Sequence, residues 1–516
     1  MKWLKISLFG LIVLLPALVF AQQQPLTATQ KTAQYFASIQ NDPNQLLVFL
    51  SAMPKGAQLH YHFSGATYAE NLLDYAKNDK SCLDQTTFTI QNTPNCHGVN
   101  LGDIAQQSDL YQKTIDAWSM RDFISSQNQS ADDHFFATFI KFSPLVSTHA
   151  SDVLNEIKKR AYNQHVDYLE TLISSYDINM PMGPDGDPST TLATKLSSSW
   201  DNTNWSKDRA ALLNNGLPQI ITETKQHITA IENQSNQQLH CGTSTADPAC
   251  QIQVRFQYYA LRHLPPPEFF AQLLTGFEVA NSDPDVVGIN IVGPEDNYVS
   301  THNYTMEMHM INYLHSVYPK VNIDLHAGEL NPTQVTPEEL RYHVRQAVEI
   351  ADAQRIGHGT DIAYENNANQ LMDEMATKKI ADEINLTSNA ELLNITGNQE
   401  PVLLYLSHHV PIVLSTDDEG VLRTNINHEY QTAILNYHLS YLAIKNIARN
   451  GITYSFLPGT SLWQNPENAT PVAVCSKDIL GSKNPSANCQ TFLKNNQKAQ
   501  AQWKLESEFE SFERSF

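Results

Sequence analysis

Eight short apolar runs, most of them closed by polar or charged residues, recur along this chain with helix-forming segments between them. They are QLHYHFS (58–64), VDYLETLIS (166–174), QIQVRFQYYAL (251–261), VVGINIVG (286–293), NIDLHAGE (322–329), RIGHGT (355–360), ADEINLTSN (381–389) and PIVLSTDD (411–418). Near-continuous apolar strands suit a parallel sheet covered on both faces, because neither face then meets water. Eight such strands alternating with helices predict an α/β fold, a (β/α)8 TIM-like barrel.

The segments between the runs carry helix signals. The clearest is TPEELRYHVRQAVEIADAQ, for which the sequence predicts a helix from Thr336, with Pro337 at the first helical position and Glu339 closing a capping box. Two intervals are too long for simple barrel units and read as helical, disulfide-stapled insertions after strands 1 and 2, at about 67–150 and 175–250. The second holds GPDGDPST, whose incomplete ligand pattern reads as an ordinary turn and not a calcium loop. Residues 22–50 read as an N-terminal helical segment and 51–516 as the barrel domain. The final QAQWKLESEFESFERSF reads as an amphipathic helix packed on the barrel.

The chain of 516 residues has a formal net charge of -21, which disfavours a nucleic-acid backbone or an anionic membrane as partner. Residues 1–21 read as a signal peptide: Lys2 and Lys5 precede an apolar run from Ile6 to Phe20, and Val19 and Ala21 fit cleavage before Gln22. The six cysteines form three local couples, Cys82 with Cys96, Cys241 with Cys250 and Cys475 with Cys489. Six cysteines allow 15 pairings, of which the short-loop set is favoured. Without a C-x-x-C, a thiolate zinc knuckle is not expected. These features predict an exported protein, periplasmic or secreted. Asn385 sits in a sequon but in a predicted buried strand, where no glycan fits, so a bacterial periplasm is favoured over a eukaryotic secretory route.

Barrel sites gather at the C-terminal ends of the strands. There the chain places His60 and His62 on strand one, His326 and Glu329 on strand five, His358 on strand six, and Asp417 with Asp418 on strand eight. Alternation along a strand sends His60 and His62 to one face and Asp417 and Asp418 to opposite faces. Singly, each has a bland reading: surface histidines, a satisfied core histidine, a solvated turn, a helix cap. Together, three imidazoles and a carboxylate make a hard-to-borderline divalent site, for which zinc is the natural occupant.

The series MPKGAQLHYHFSGA, LHAGE, RIGHGT, LTSN and STDDEGV, with VVGINIVGPE and the later NGITYSFL, resembles the adenosine deaminase family over roughly residues 50–460. The leader and disulfide-prone insertions are similar to its exported, growth-factor-type branch and bacterial relatives. The resemblance implies one zinc held by His60, His62, His326 and Asp417, and hydrolysis of adenosine or 2′-deoxyadenosine to inosine and ammonia. It implies that His358 orients the water and takes its proton, that Glu329 protonates ring N1, and that Asp418 accepts a hydrogen bond from the substrate. It further implies that the Gly293 N–H meets another ring nitrogen, and that a homodimer can form through the region after the leader.

One departure stands out. The acidic residue that follows H-x-H in the usual nucleoside deaminases is missing, and Phe63 and Ser64 stand there. Ser64 can still exchange one hydrogen bond with the substrate. Ribose contacts are expected instead from the insertions, around Trp118 or Asp132 and Asp133. Alternatives are a deaminase of another 6-aminopurine, a metal-dependent amidohydrolase acting on an amide or ester, and a non-enzymatic exported binding or signalling protein. The H-x-E and P-C-x-x-C signature of cytosine-type deaminases is absent, as are G-x-S-x-G and phosphate-binding loops.

Overall fold

Eight parallel strands lie side by side in chain order: β1 (Gly56–Gln58), β2 (Val166–Ile173), β3 (Gln253–Leu261), β4 (Val286–Val292), β5 (Asn322–Ala327), β6 (Arg355–His358), β7 (Ala381–Ile384) and β8 (Ile412–Leu414). This computed structural model describes residues 26–91, 96–175, 177–178 and 187–516. The leader expected at 1–21 and the first half of the GPDGDPST turn, 183–186, lie outside the described residues.

The seam between the first and last strands closes just beyond both ladders. Tyr61 bridges Asp417, the His62 N–H donates to the Asp417 carbonyl at 3.2 Å, and the Ser415 hydroxyl accepts from the N–H groups of Leu59 and His60 at 3.3 and 3.2 Å. The sheet is thus a barrel. Its outward residues pack on surrounding helices, as Ile289 and Tyr258 do against Gly276 of the helix Pro266–Ser282.

Between β1 and β2 run the helices Ala69–Asp79, Ser108–Ala117, Ala131–Thr148 and Ala150–Asn163, with a small three-stranded sheet stapled by Cys82–Cys96. Between β2 and β3 run Pro188–Leu196, Trp205–Asn214 and Leu217–Gln238, followed by the Cys241–Cys250 bridge. The third pair, Cys475–Cys489, lies beneath the C-terminal helix Gln497–Glu513. That helix packs on the barrel: Phe512 meets Phe49 edge-on at 5.1 Å, and Glu506 takes both Nε and Nη2 of Arg449 at 2.6 and 2.7 Å.

Three local expectations change. The β1 ladder ends at Gln58, so His60 and His62 stand beyond it, held by isolated bridges and not by a continuous strand. β8 ends at Leu414, and Asp417 takes a left-handed φ of 58°; the turn puts Asp417 and Asp418 on the same cavity instead of opposite faces. The helix expected from Thr336 begins at His343, after a 3-10 turn at Glu339–Arg341. Tertiary contacts override the capping box: His343 Nδ1 bonds Glu295 at 2.6 Å, and the His343 carbonyl accepts from the Tyr304 hydroxyl at 2.8 Å.

The inner layer of the barrel is ionic. Arg355, fully buried, donates to Glu170 at 2.6 Å, to Asp324 at 2.9 Å and to Glu383 at 2.6 Å, and its guanidinium lies 3.8 Å from the Phe456 ring centre. Removing this one cation leaves three buried carboxylates without their counter-charge. Arg355→Met is expected to cost about 3–5 kcal/mol, the usual range when a buried ion pair loses one partner, read from the urea midpoint at an unchanged m-value.

Candidate metal and active site

The ends of β1, β5, β6 and β8 bring His60, His62, His326, His358, Asp417 and Asp418 together at one mouth of the barrel. Ligand atoms of His60, His326, His358 and Asp417 all lie within 4.8 Å of one another, and His62, Asp417 and Asp418 form an overlapping group. His62 Nε2 is 3.1 Å from His326 Nε2 and 3.1 Å from Asp417 Oδ1; His60 Nε2 is 3.5 Å from the same oxygen. His358 has a φ of 70°, so this site, like Asp417, uses the left-handed region that non-glycine residues seldom adopt.

Three of the four imidazoles are oriented from behind. His60 Nδ1 bonds Glu383 at 3.0 Å, His326 Nδ1 bonds Asn290 Oδ1 at 2.8 Å, and His358 Nδ1 bonds Asn389 Oδ1 at 2.8 Å. With each Nδ1–H donated outward, each Nε2 lone pair faces the centre, the arrangement by which outer partners aim metal ligands. Nε2 of His60 and of His358 is buried with no hydrogen-bond partner. Convergent imidazole lone pairs with one carboxylate, several of them unsatisfied, fit a divalent cation of borderline hardness.

The electrostatics agree with that fit. Burial holds His62 below the ordinary imidazole range and takes His358 down to about 4. Burial, with the neighbouring His60 and His62, puts His326 well below it. For Asp417, burial favours the neutral acid, but the imidazoles of His60 and His62 beside it outweigh that and hold the carboxyl well below its usual range. Burial likewise opposes a charge on His60, yet Asp417 and Glu383 together raise its affinity for a proton, which a cation would have to displace.

Two further carboxyls stand at the same cavity in the opposite state. Burial and the charge on Asp417 push both Glu329 and Asp418 well above the carboxylate range. Glu329 Oε1 lies 3.6 Å from His358 Nε2. A buried acid holding its proton can donate, as a general acid must. Asp418 comes very close to the backbone at Gly65: a Cβ there would lie 1.7 Å from Asp418 Oδ1, so only glycine fits.

Glu295, which sequence reasoning passed over, clamps the acid's backbone. Its two oxygens accept the N–H groups of Gly328 at 3.1 Å and Glu329 at 2.8 Å, while Arg262 and His343 bond the same carboxylate at 3.1 and 2.6 Å. Burial works against this charge, but Arg262 and His343 prevail and hold Glu295 at about 2. Asn290, Glu383 and Asn389 were missed as well. Their signal was present: each is a polar residue inside a quoted apolar run or directly after one.

A cavity of about 420 Å³ opens over these groups. Ser64, Gly293 and Asp177 line it on the polar side, and Phe135, Phe136 and Phe139 of the helix Ala131–Thr148 form its apolar wall. Among the described residues, neither lysine nor arginine lines it. Gly293, with φ of 104°, puts its backbone at this wall, beside His263. Of the expected ribose contacts, Trp118 and Asp133 do not line it, whereas Asp132 lies near enough to Glu329 to help raise that carboxyl. Trp118 is buried and donates its Nε1–H to the Phe88 carbonyl at 2.7 Å, and Asp133 closes the capping box on Ser130. The insertion contributes phenylalanines to the cavity instead, and Asp177 adds a carboxylate that also accepts from the Tyr259 hydroxyl at 2.8 Å.

Replacing Asn290 by leucine, which leaves His326 Nδ1 without an acceptor, is expected to weaken zinc binding by about 10–100-fold in a chelator competition, with the fold kept by circular dichroism.

Residues 218–462 match the family model described as adenosine deaminase. Among curated proteins, the chain is 37% identical over 137 residues to adenosine deaminase of Klebsiella pneumoniae subsp. pneumoniae, covering 26% of this chain and 38% of that protein. Adenosine deaminase of Escherichia coli is 35% identical over the same length, again 26% of this chain and 38% of that one. These matches thus span under two fifths of the relatives' length. In fold, the chain is similar to the apo N6-methyl-AMP deaminase of Arabidopsis thaliana, with a TM-score of 0.50, 18% identity, and coverage of 80% and 94% of the two chains.

Proposed function

We propose that this relative of the adenosine deaminases hydrolyses adenosine, and 2′-deoxyadenosine, to inosine and ammonia with one bound zinc. The observation that carries the reading is the pairing in one cavity of convergent imidazole lone pairs with a partly buried acid, Glu329, held protonated beside His358. His60, His62, His326 and Asp417 would hold the zinc. When bound, zinc lowers the pKa of water so that a hydroxide nucleophile is available near neutral pH.

The chain's own groups then divide the remaining work. Glu329 gives its proton to ring N1, which makes C6 electrophilic. His358, with Nε2 bare toward the site, orients the attacking water and takes its proton. Asp418 accepts a hydrogen bond from the nucleophile or ring edge, and the Gly293 N–H meets a second ring nitrogen. Water adds at C6, and the amino group leaves as ammonia.

The lining also favours an uncharged substrate. Among the described residues, four carboxyls, Asp177, Glu329, Asp417 and Asp418, face the cavity without a lysine or arginine to meet a phosphate. A nucleoside fits this charge pattern better than a nucleoside monophosphate. The basic and apolar leader and three disulfides support export to a periplasm or beyond, tested by finding the mature protein in that fraction beginning at Gln22. A homodimer through the helices after the leader belongs to the same reading and is checked by light scattering.

The test follows the ultraviolet change from adenosine to inosine on the disulfide-bonded protein. A chelator-sensitive change is expected, with adenosine monophosphate turned over at a far lower kcat/KM. Glu329→Gln is expected to lower kcat by about 10²–10⁴-fold with zinc content unchanged. Cleavage of an amide or ester without ammonia release from adenosine would move the assignment to the amidohydrolase alternative.

A further inference from the structure

The LTSN motif at 386–389 has no role in the chemistry above, and its last residue lies behind the proposed base. We infer that Glu400 and Asn389 act together as positioning residues that fix the tautomer of His358, leaving its Nε2 lone pair on the substrate side. This extends the deaminase reading by naming what makes His358 a base, and it rests on that reading only for its kinetic consequence.

The geometry forces the sequence of bonds. Asn389 stands in the helix Leu386–Leu393, fully buried, its N–H donating to the Asn385 carbonyl at 2.9 Å and its carbonyl accepting from Ile395 at 3.1 Å. Its side chain reaches two groups, Glu400 Oε2 at 3.3 Å and His358 Nδ1 at 2.8 Å. An amide has one accepting end and one donating end. With Oε2 as acceptor, Glu400 takes the amide Nδ2–H₂ end. The Oδ1 end must then face His358, and an acceptor there requires Nδ1 to carry the proton. A neutral imidazole with a proton on Nδ1 has its lone pair on Nε2.

That Nε2 faces Glu329 at 3.6 Å and Asp417 at 3.8 Å and has no hydrogen-bond partner. The opposite amide orientation would press Asn389 Oδ1 against Glu400 and present a donor to Nδ1, moving the proton to Nε2 and blunting the base. Glu400 itself is 5% exposed, and burial takes its carboxyl up to about 8. Oε2 accepts when Glu400 is a carboxylate or when its proton sits on Oε1, which has no other partner; a proton on Oε2 would turn the amide round. His358 and Asn389 are fully buried, and Glu400 borders a separate surface cavity with Leu404 and Tyr437.

The zinc-loaded protein, labelled with ¹⁵N-histidine, tests this by long-range proton–nitrogen correlation, with His358→Asn assigning the signal. The expected result is protonated Nδ1 and bare Nε2 at His358, lost or mixed in Asn389→Leu and in Glu400→Met, which removes the acceptor from Asn389 Nδ2. Those variants are expected to keep their zinc and their KM within about twofold while kcat falls about 10–100-fold, the range for an outer partner of an active-site imidazole. A wild-type His358 protonated on Nε2, or both variants retaining the wild-type pattern, overturns the inference. Glu400→Met keeps the test decisive if Asn389→Leu does not fold. The nitrogen signals need no turnover, so inactivity toward adenosine would sink the deaminase reading and leave this one standing.

Discussion

Glu383 joins the barrel's interior to its chemistry. One of its oxygens accepts from Arg355 Nε at 2.6 Å, the other holds His60 Nδ1 at 3.0 Å. Arg355 in turn gathers Glu170 and Asp324, and Glu170 accepts the backbone N–H of Phe456 from the segment after the last barrel helix. The carboxylate that aims a candidate ligand is thereby one of the three that neutralise Arg355. An apolar layer of equal volume would cost less to bury, but it would leave His60 without an acceptor on its far nitrogen.

The same design repeats around the mouth. Each buried imidazole has one polar partner behind it and its lone pair in front: Glu383 for His60, Asn290 for His326, Asn389 for His358. Glu295 does the same for a backbone, pinning the N–H groups that carry Glu329 into place. The carboxyls divide by company. Asp417, flanked by two imidazoles, stays charged; Glu329 and Asp418, largely withdrawn from water near that charge, keep their protons. One environment therefore holds both a ligand-type carboxylate and a donor-type acid.

Much of this was legible before any coordinates. The eight runs and their helical intervals are the barrel, because a two-sided buried strand must read as a short apolar run. His60, His62, Glu329 and the Asp417–Asp418 pair stood out because charged groups at the ends of such runs have no packing reason to be there. The helix from Thr336 was misread because a capping box is a local signal worth about 1 kcal/mol, and Glu295 and Tyr304 bind His343 more firmly. Two of the three residues expected at the ribose, Trp118 and Asp133, have their polar atoms engaged in local bonds, which no short pattern records.

By itself the sequence determined the periodicity, hence the strand count, the strand ends at which chemistry gathers, and the three local cysteine couples. These depend on short-range spacing and on burial, which a one-dimensional pattern records. Only the tertiary structure decided which nitrogen of each histidine faces the centre, which carboxyls hold protons, and what lines the cavity. Those properties come from contacts between residues far apart in the chain, as Asn290 with His326 or Glu383 with His60, and a proton's place depends on the distance and burial of such partners.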